Sequence, residues 1–264
     1  MMAFQLKVID ELAAAGKLTF ESDDVRALTG QSPQATSNLL TRLAHQGLVD
    51  RVARGKYALR PLGALGTTAA AEDIALAVSA VFAGRLHRIA YRSALDHHDL
   101  LQHPSRQIVV ALARPTSLER ISGRRLRVHY ETADRIAVGA IDAGYGARVS
   151  SVERALLESA ARPKLAGGIV VVATALAAAD PDPRELKSLA RDLGVRAALQ
   201  RLGSLADALG LEKVAAALEP STQAKPVNLD PVLGGEDKRH AWRDDKWDVD
   251  WPFSIEELEE SVRR

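Results

Sequence analysis

Short polar and cationic side chains that can contact nucleic acid are concentrated between Ser32 and Lys56. Asparagine and glutamine amides can pair with adenine at two points, and arginine can pair with guanine or phosphate. Hydroxyl groups and cationic side chains also bind phosphate oxygens, and no Asp or Glu lies between Ser32 and Gly47. The predicted DNA-binding residues are Ser32, Gln34, Thr36, Ser37, Asn38, Thr41, Arg42, Arg51, Arg54 and Lys56.

A helix followed by a hairpin must position these side chains. Ser32 is typical of a helix N-cap, Pro33 suits the first helical turn and Gly47 ends the pattern. An apolar stripe at steps of three and four residues predicts one buried face and leaves the polar residues on the other. Two alternating segments around Arg54-Gly55 then predict a β-hairpin, which would carry Arg51, Arg54 and Lys56.

Two further helices are predicted upstream, ending at Gly16 and Gly30. Three helices with a short turn between the last two, followed by a hairpin, are typical of a winged helix-turn-helix. Such modules usually place the third helix in a DNA groove, although some winged helices bind proteins instead. The polar face without carboxylates favours DNA.

A second group of residues, between Asp96 and His103, could bind a metal ion. It includes His97, His98 and Asp99, and it suggests a metal-dependent hydrolase or nuclease as an alternative function. Adjacent residues of a helix point about 100° apart, so His97 and His98 cannot both face one ion there. No H-E-x-x-H motif is present, and structural or interfacial histidines are the favoured interpretation.

Other catalytic signatures are missing from the sequence. There is no nucleophile elbow, phosphate-binding glycine loop or dinucleotide fingerprint. Ser150 and Glu153 predict a capping box, and Arg154–Glu158 and Glu158–Arg162 predict ion pairs that support one helix. We therefore expect a protein that is not an enzyme and has no cofactor and no metal.

Composition narrows the class of protein further. The chain has 264 residues, a formal net charge of +1 and no cysteine, so it contains no disulfide and no cysteine-bound metal. Basic residues exceed acidic ones by 10 to 5 between Gly84 and Arg135, whereas the segment from Glu219 to Arg264 has 7 against 12. A polyanionic partner would favour the first region and avoid the second. The apolar run Gly167–Ala179 is too short to cross a bilayer, and we expect a cytoplasmic protein without a signal peptide.

The patterns predict an α+β fold with an N-terminal winged helix-turn-helix and a larger mixed α/β C-terminal domain. The predicted domains are residues 1–62, a domain at 66–218 and a surface-wrapping tail at 219–264 with a short C-terminal helix. Strands are predicted in QIVVALA, RLRVHYE, RIAVGAI and ARVSS, and helices follow from Ser150 to Leu218.

The order of these landmarks resembles the AbiEi-type antitoxins of type IV toxin–antitoxin, or abortive-infection, systems. The similar segments follow the N-terminal module and are YRSALDHHDLL at Tyr91–Leu101, RVSSVERALLESAARP at Arg148–Pro163, LAGGI at Leu165–Ile169, RLGSLADALGL at Arg201–Leu211 and KWDVDWP near the C-terminus. Two positions depart from the family. His98-Asp99 stands where His-Gly is common, and Glu158 stands where Asp is usual.

The resemblance implies a transcriptional repressor that binds operator DNA upstream of its own operon. It also implies an antitoxin that counteracts a nucleotidyltransferase toxin without needing a stable complex, and it leaves open whether an oligomer forms on DNA. The C-terminal domain of the family is associated with antitoxicity and cooperative DNA binding. A ligand-sensing regulator unrelated to toxins stays open as a further alternative.

Overall fold

The computed structural model describes residues 2–60, 73–103, 105–219, 225–231 and 241–263. Helices occupy most of these ranges and follow one another almost without interruption after residue 150. Within the described residues they are α1 (Met2–Ala14), α2 (Ser22–Thr29), α3 (Pro33–His45), α4 (Ile74–Phe82), α5 (Arg92–His97), α6 (Ala133–Ala137), α7 (Val152–Ala161), α8 (Pro163–Ala166), α9 (Ile169–Ala178), α10 (Pro183–Leu193), α11 (Arg196–Ala208), α12 (Glu212–Leu218) and α13 (Ile255–Arg263).

The strands form three sheets, and together with the helices they confirm the predicted α+β class. They are β1 (Thr19–Glu21), β2 (Val49–Ala53), β3 (Lys56–Leu59), β4 (His87–Ile89), β5 (Gln107–Leu112), β6 (Arg120–Ile121), β7 (Arg124–Tyr130), β8 (Ala140–Gly144), β9 (Ala147–Ser150), β10 (Val227–Asn228), β11 (Trp242–Asp244) and β12 (Val249–Trp251). The strand orders are β1-β3-β2, β10-β12-β11 and, in the largest sheet, β6-β7-β5-β4-β9-β8.

The chain divides into two compact units. The first comprises residues 1–87, 115–127 and 142–148, and the second comprises residues 88–114, 128–141 and 149–264. The predicted domain boundaries at residues 62 and 66 lie outside the described residues.

In the first unit, three helices cover one face of a small antiparallel sheet. Strand β3 lies between β1 and β2, with Phe20 opposite Tyr57 and Val49 opposite Leu59. Because α1, α2, α3 and the sheet each present one apolar face, they share one core. Its buried members are Val8, Leu12, Phe20, Val25, Leu39, Leu40, Leu43, Val49, Tyr57 and Leu59.

A helix and a second hairpin complete this unit. Helix α4 is almost entirely buried and packs against the β1–β3 sheet, capped by the Asp73 side chain. Strands β6 and β7 form a tight hairpin through Ser122 and Gly123, both with positive φ. The Ser122 N–H donates to the Val52 carbonyl at 2.9 Å, which ties this hairpin to β2.

In the second unit, α7 occupies the centre of a helical layer. Its neighbours are α5, α8, α9, α10 and α11. Every residue from Arg154 to Ala160 is buried, so α7 has no solvent-exposed face along this stretch. Strand β4 pairs in parallel with β9, with Ile89 opposite Val149.

Two local predictions were wrong. Residues 135–141 were predicted as a strand, but α6 extends to Ala137 and β8 begins only at Ala140. Between them Gly139 has a φ of +60° and an added Cβ would lie 3.0 Å from that of Arg154, so glycine is required. The predicted capping box at Ser150 is also absent: Ser151 caps α7 by accepting from the Arg154 N–H.

The C-terminal segment is described at 225–231 and 241–263. Strand β12 pairs in parallel with β10 and antiparallel with β11, with Trp251 opposite Trp242. Trp247 and Trp251 are buried, and the Trp251 indole N–H donates to Ser204 of α11 at 2.8 Å. Helix α13 begins with a capping box between Ser254 and Glu257.

Candidate nucleic-acid interface

Helix α3 carries most of the predicted DNA-binding residues, and its N-terminus is capped as predicted. The Ser32 hydroxyl accepts from the Ala35 N–H at 3.3 Å, and Pro33 occupies the first turn. Leu39, Leu40 and Leu43 are buried in the shared core. The opposite side of the helix therefore has to face outward, which leaves its polar residues on the surface.

The outward side of α3 is polar and continuous. Its exposed residues are Gln34, Ser37, Asn38, Thr41, Arg42 and His45, and the capping Ser32 is exposed beside them. Gln34 Nε2 donates to Asn38 Oδ1 at 3.3 Å, and the Thr41 hydroxyl donates to the Ser37 carbonyl at 2.9 Å. The first of these bonds orients Asn38 through its carbonyl oxygen and leaves the two donors of its NH₂ group unused by Gln34.

Thr36 does not share this surface. Its side chain is only 2% exposed, and its hydroxyl oxygen has no hydrogen-bond partner among the described residues. It lies on the same side of α3 as Leu40 and Leu43, because residues four and seven positions apart share a helix face. A ligand on the outer surface cannot reach it, so Thr36 is omitted from the contact set proposed below.

The β2–β3 hairpin exposes two of its three predicted cations. Arg51 and Arg54 are exposed, and Arg54 forms the turn with Gly55, whose φ is +73°. Lys56 is only partly exposed, because its ammonium group pairs with Glu21 at 2.8 Å. Two arginines are therefore available to an anion here, while Lys56 already has a carboxylate partner.

The hairpin is fixed at its tip and at its base. At the tip, the Ser22 N–H donates to the Gly55 carbonyl at 3.1 Å. At the base, Arg60 pairs with the buried Asp50 at 2.7 Å. A hairpin held at both ends presents Arg51 and Arg54 in a defined geometry, which reduces the entropy lost on binding.

A second cationic feature of the first unit was not identified as a site from the sequence. Residues 120–127, here called the arginine hairpin, contain Arg120, Arg124, Arg125 and Arg127, of which Arg120 and Arg125 are exposed. The Ser122–Val52 hydrogen bond ties it to β2. The excess of basic residues between Gly84 and Arg135 was the available signal, but it could not show the link to β2.

The Asp96–His103 segment contains the last two residues of α5 and the loop that follows, in the second unit. Asp96 accepts from the Ser105 N–H at 3.2 Å, and His98 Nε2 donates to the Ser150 carbonyl at 2.7 Å. His97 and His103 are exposed. The described residues hold no group of three or more histidine or carboxylate side chains arranged to bind a metal ion.

Four charged side chains of the second unit form a buried ion-pair cluster. Arg88 contacts Glu131 at 3.1 Å and Glu158 at 2.8 Å, and Arg154 contacts the same two carboxylates at 3.0 and 3.1 Å. Burial alone would raise the pKa of Glu158, but the charges of Arg88 and Arg154 and a hydrogen bond from the Tyr91 N–H lower it. These contacts favour the charged form of Glu158, and the cluster pairs two guanidinium groups with two carboxyl groups.

The part of the chain that contains α3 and the β2–β3 hairpin is similar in sequence to a known protein family. Residues 7–60 match the family model described as "Transcriptional regulator, AbiEi antitoxin". This part of the chain thus has the sequence features of an AbiEi transcriptional regulator. Curated proteins gave no match to the chain.

A solved structure is similar over almost the whole length. The crystal structure of RV2827C protein from Mycobacterium tuberculosis aligns with a TM-score of 0.66 and 18% sequence identity, covering 97% of this chain and 94% of that chain. At this level of identity the similarity shows the fold alone.

No helix among the described residues has both the length and the apolar character needed to span a membrane.

Proposed function

We propose that the AbiEi-like part of the first unit is a winged helix-turn-helix that binds operator DNA. Helix α3 would lie in the major groove, and the β2–β3 hairpin would be the wing. The observation that carries the proposal is the exposed outer side of α3, where amides, hydroxyls and Arg42 stand together without a carboxylate. DNA is read through such side chains, whereas a carboxylate there would repel phosphate.

The proposed contacts divide into two classes. Asn38 and Arg42 face outward along α3 and would read base edges, and Gln34, which is also exposed, would hold the Asn38 amide in place. Ser32, Ser37, Thr41, Arg51 and Arg54 would bind the phosphate backbone, with a smaller contribution from Lys56. The arginine hairpin, tied to β2 through Ser122, would extend the phosphate contacts beyond the wing.

The match to an AbiEi regulator supports a more specific role. The protein would repress its own operon and counteract a nucleotidyltransferase toxin encoded beside it, without catalysis of its own. Repression would come from the operator-bound first unit, and antitoxicity would depend on the second unit. A stable complex with the toxin is not required by this proposal.

The DNA-binding proposal is tested with the full chain and the DNA upstream of its own gene. We expect a footprint on that DNA and weaker binding to a shuffled sequence of the same composition. Asn38→Ala should shift the footprint to higher protein concentration, whereas Lys7→Ala on α1 should leave it unchanged because Lys7 pairs with Glu11 outside the proposed interface. Equal binding of the wild type to both DNAs would contradict operator recognition.

The antitoxin role requires a separate experiment. A nucleotidyltransferase reading frame should adjoin the gene, and its expression alone should arrest growth. Co-expression of the full chain should restore growth, and the Asn38→Ala variant should restore it equally well while failing to repress a promoter reporter. No restored growth with wild-type protein would contradict antitoxicity and leave the DNA-binding result unaffected.

A further inference from the structure

A cavity in the second unit combines an unusual number of arginines with an apolar wall. Its volume is about 410 Å³, within the range of small-molecule sites in proteins. The cationic lining residues are Arg135, Arg154, Arg162, Arg196 and Arg201. Leu193, Val195 and Ala197 supply apolar surface, and Tyr91 and His129 meet edge to face with ring centres 5.5 Å apart.

The carboxylates in the cavity do not neutralise these arginines. Glu131 and Glu158 also line it, but both are paired with Arg88 and Arg154 in the buried cluster. Two charges of each sign cancel there, which leaves the other four lining arginines in excess. Among the described residues, neither Arg162 nor Arg196 has a carboxylate partner within ion-pair distance, and both are exposed.

Two features of the cavity lining leave hydrogen-bond donors without protein partners. Arg154 is 2% exposed, and its Nη1 atom has no hydrogen-bond partner among the described residues. Helix α11 begins at the cavity wall with Arg196 and Ala197, and no described side chain caps it. The Val195 and Ala198 N–H groups already donate to backbone carbonyls, which leaves the N–H groups of Arg196 and Ala197 for an anion at the positive end of the helix.

The neutral side chains of the cavity fit the same ligand. Burial and the nearby charge of Arg162 lower the pKa of His129, so its ring is uncharged near neutral pH and keeps one N–H donor. Burial raises the pKa of Tyr91, so its phenol stays protonated. The site thus offers donors and cations to an anion and an apolar wall to whatever the anion is attached to.

We propose that this cavity binds a phosphate group, either as free phosphate or as part of a small phosphate monoester. Arg154, Arg162, Arg196 and the first turn of α11 hold the phosphate oxygens. Leu193, Val195 and Ala197 contact the remainder of a monoester. A tetrahedral dianion uses more of these donors than a carboxylate can, because it has three or four acceptor oxygens.

The test is calorimetric titration of the full chain at fixed ionic strength with inorganic phosphate, ribose 5-phosphate and ribose. Phosphate and ribose 5-phosphate should bind, and ribose should not. Tighter binding of ribose 5-phosphate would assign the cavity to a monoester, and equal binding would assign it to free phosphate. Absence of binding by both phosphates at millimolar concentration would overturn the proposal.

Variants locate the binding in the cavity. Arg162→Ala and Arg196→Ala replace exposed side chains and should each weaken binding about tenfold, as expected when one charge-assisted hydrogen bond is removed. Arg196→Lys should recover part of the affinity. Arg191→Ala, on an exposed side chain of α10, should bind like the wild type. Unchanged affinity in the Arg162→Ala/Arg196→Ala double variant would overturn the assignment, while operator binding in the same samples reports on the proposed function independently.

Discussion

Arg88 and Glu158 form an ion pair at 2.8 Å between side chains that are 0% and 4% exposed to solvent. Each would be strongly unfavourable alone at this depth, because a buried charge loses its hydration. Glu158 also accepts from the Tyr91 N–H at 2.7 Å and the Ser150 hydroxyl at 2.7 Å. One carboxylate therefore joins the start of α5, the end of β9 and the middle of α7.

Replacing this carboxylate by an amide should destabilise the second unit. Glu158→Gln leaves Arg88 and Arg154 without half of their negative partners, and breaking a buried pair typically costs about 3–5 kcal/mol. Urea denaturation followed by circular dichroism measures the loss. Glu259→Gln, which breaks an exposed pair with Arg263, should change stability by less than about 1 kcal/mol. Similar small effects in both variants would show that the buried cluster contributes little.

The same carboxylate predicts how stability changes with acid. Glu158 has a folded-state pKa below its ordinary value of 4.5, so the unfolded chain binds a proton more readily than the folded one. Its contribution is fully present above about pH 4.5 and is lost as the pH falls through the lowered pKa. The free energy of unfolding should therefore fall less steeply below pH 4.5 in Glu158→Gln than in the wild type. Equal slopes would mean that other groups cause the acid sensitivity.

Only part of this cluster could be predicted from the sequence. The Arg154–Glu158 pair follows from spacing, since residues four apart face each other on a helix, and the structure confirms it at 3.1 Å. The predicted Glu158–Arg162 ion pair is not found among the described residues, where the Arg162 backbone N–H donates to the Glu158 carbonyl instead. Arg88 and Glu131 join the cluster only through tertiary packing, which no local pattern specifies.

The same distinction separates the predictable and unpredictable parts of the candidate interface. The outer side of α3 was predictable because an apolar stripe and a cap define a helix locally. The burial of Thr36 was predictable in the same way, because Thr36 lies four and seven residues before the buried Leu40 and Leu43. The arginine hairpin is tied to β2 by a hydrogen bond between Ser122 and Val52, residues far apart in the chain, so its place beside the wing could not be read from sequence.

Gly203 is a second position in the second unit where a substitution should lower stability. A methyl group added at this position of α11 would overlap the six-membered ring of Trp247, which is 2% exposed. Gly203→Ala should therefore lower stability by about 1–3 kcal/mol, although alanine is normally the better helix former. Thermal denaturation compares it with Trp247→Phe and with the double variant. The two changes should be less than additive, because a smaller ring makes room for the methyl group. Full additivity would argue against the overlap.

The salt dependence of DNA binding should identify the side chains that bind phosphate. Removing one cationic side chain from the phosphates of duplex DNA lowers the slope of log K against log salt by about 0.9. Arg51→Ala with Arg54→Ala should lower it by nearly two units, and Arg120→Ala with Arg125→Ala should do the same if the arginine hairpin lies along the backbone. Lys56→Ala should have less effect, since Lys56 pairs with Glu21. A wild-type slope in either double variant would show that the arginines of that hairpin do not contact the phosphates.

Gln34 and Asn38 should act together in reading the operator. The Gln34 amide donates to Asn38 Oδ1 at 3.3 Å, and this bond would hold Asn38 in the orientation that pairs with adenine. Asn38→Ala should then cost about 1–3 kcal/mol on the operator and little on random DNA. Gln34→Ala should cost less alone, and the double variant should lose little more than Asn38→Ala, because the orienting bond has no purpose once Asn38 is absent. Fluorescence anisotropy with operator and random duplexes measures all three. Additive losses would mean that each amide reads its own base, and equal losses on both duplexes would mean that neither reads sequence.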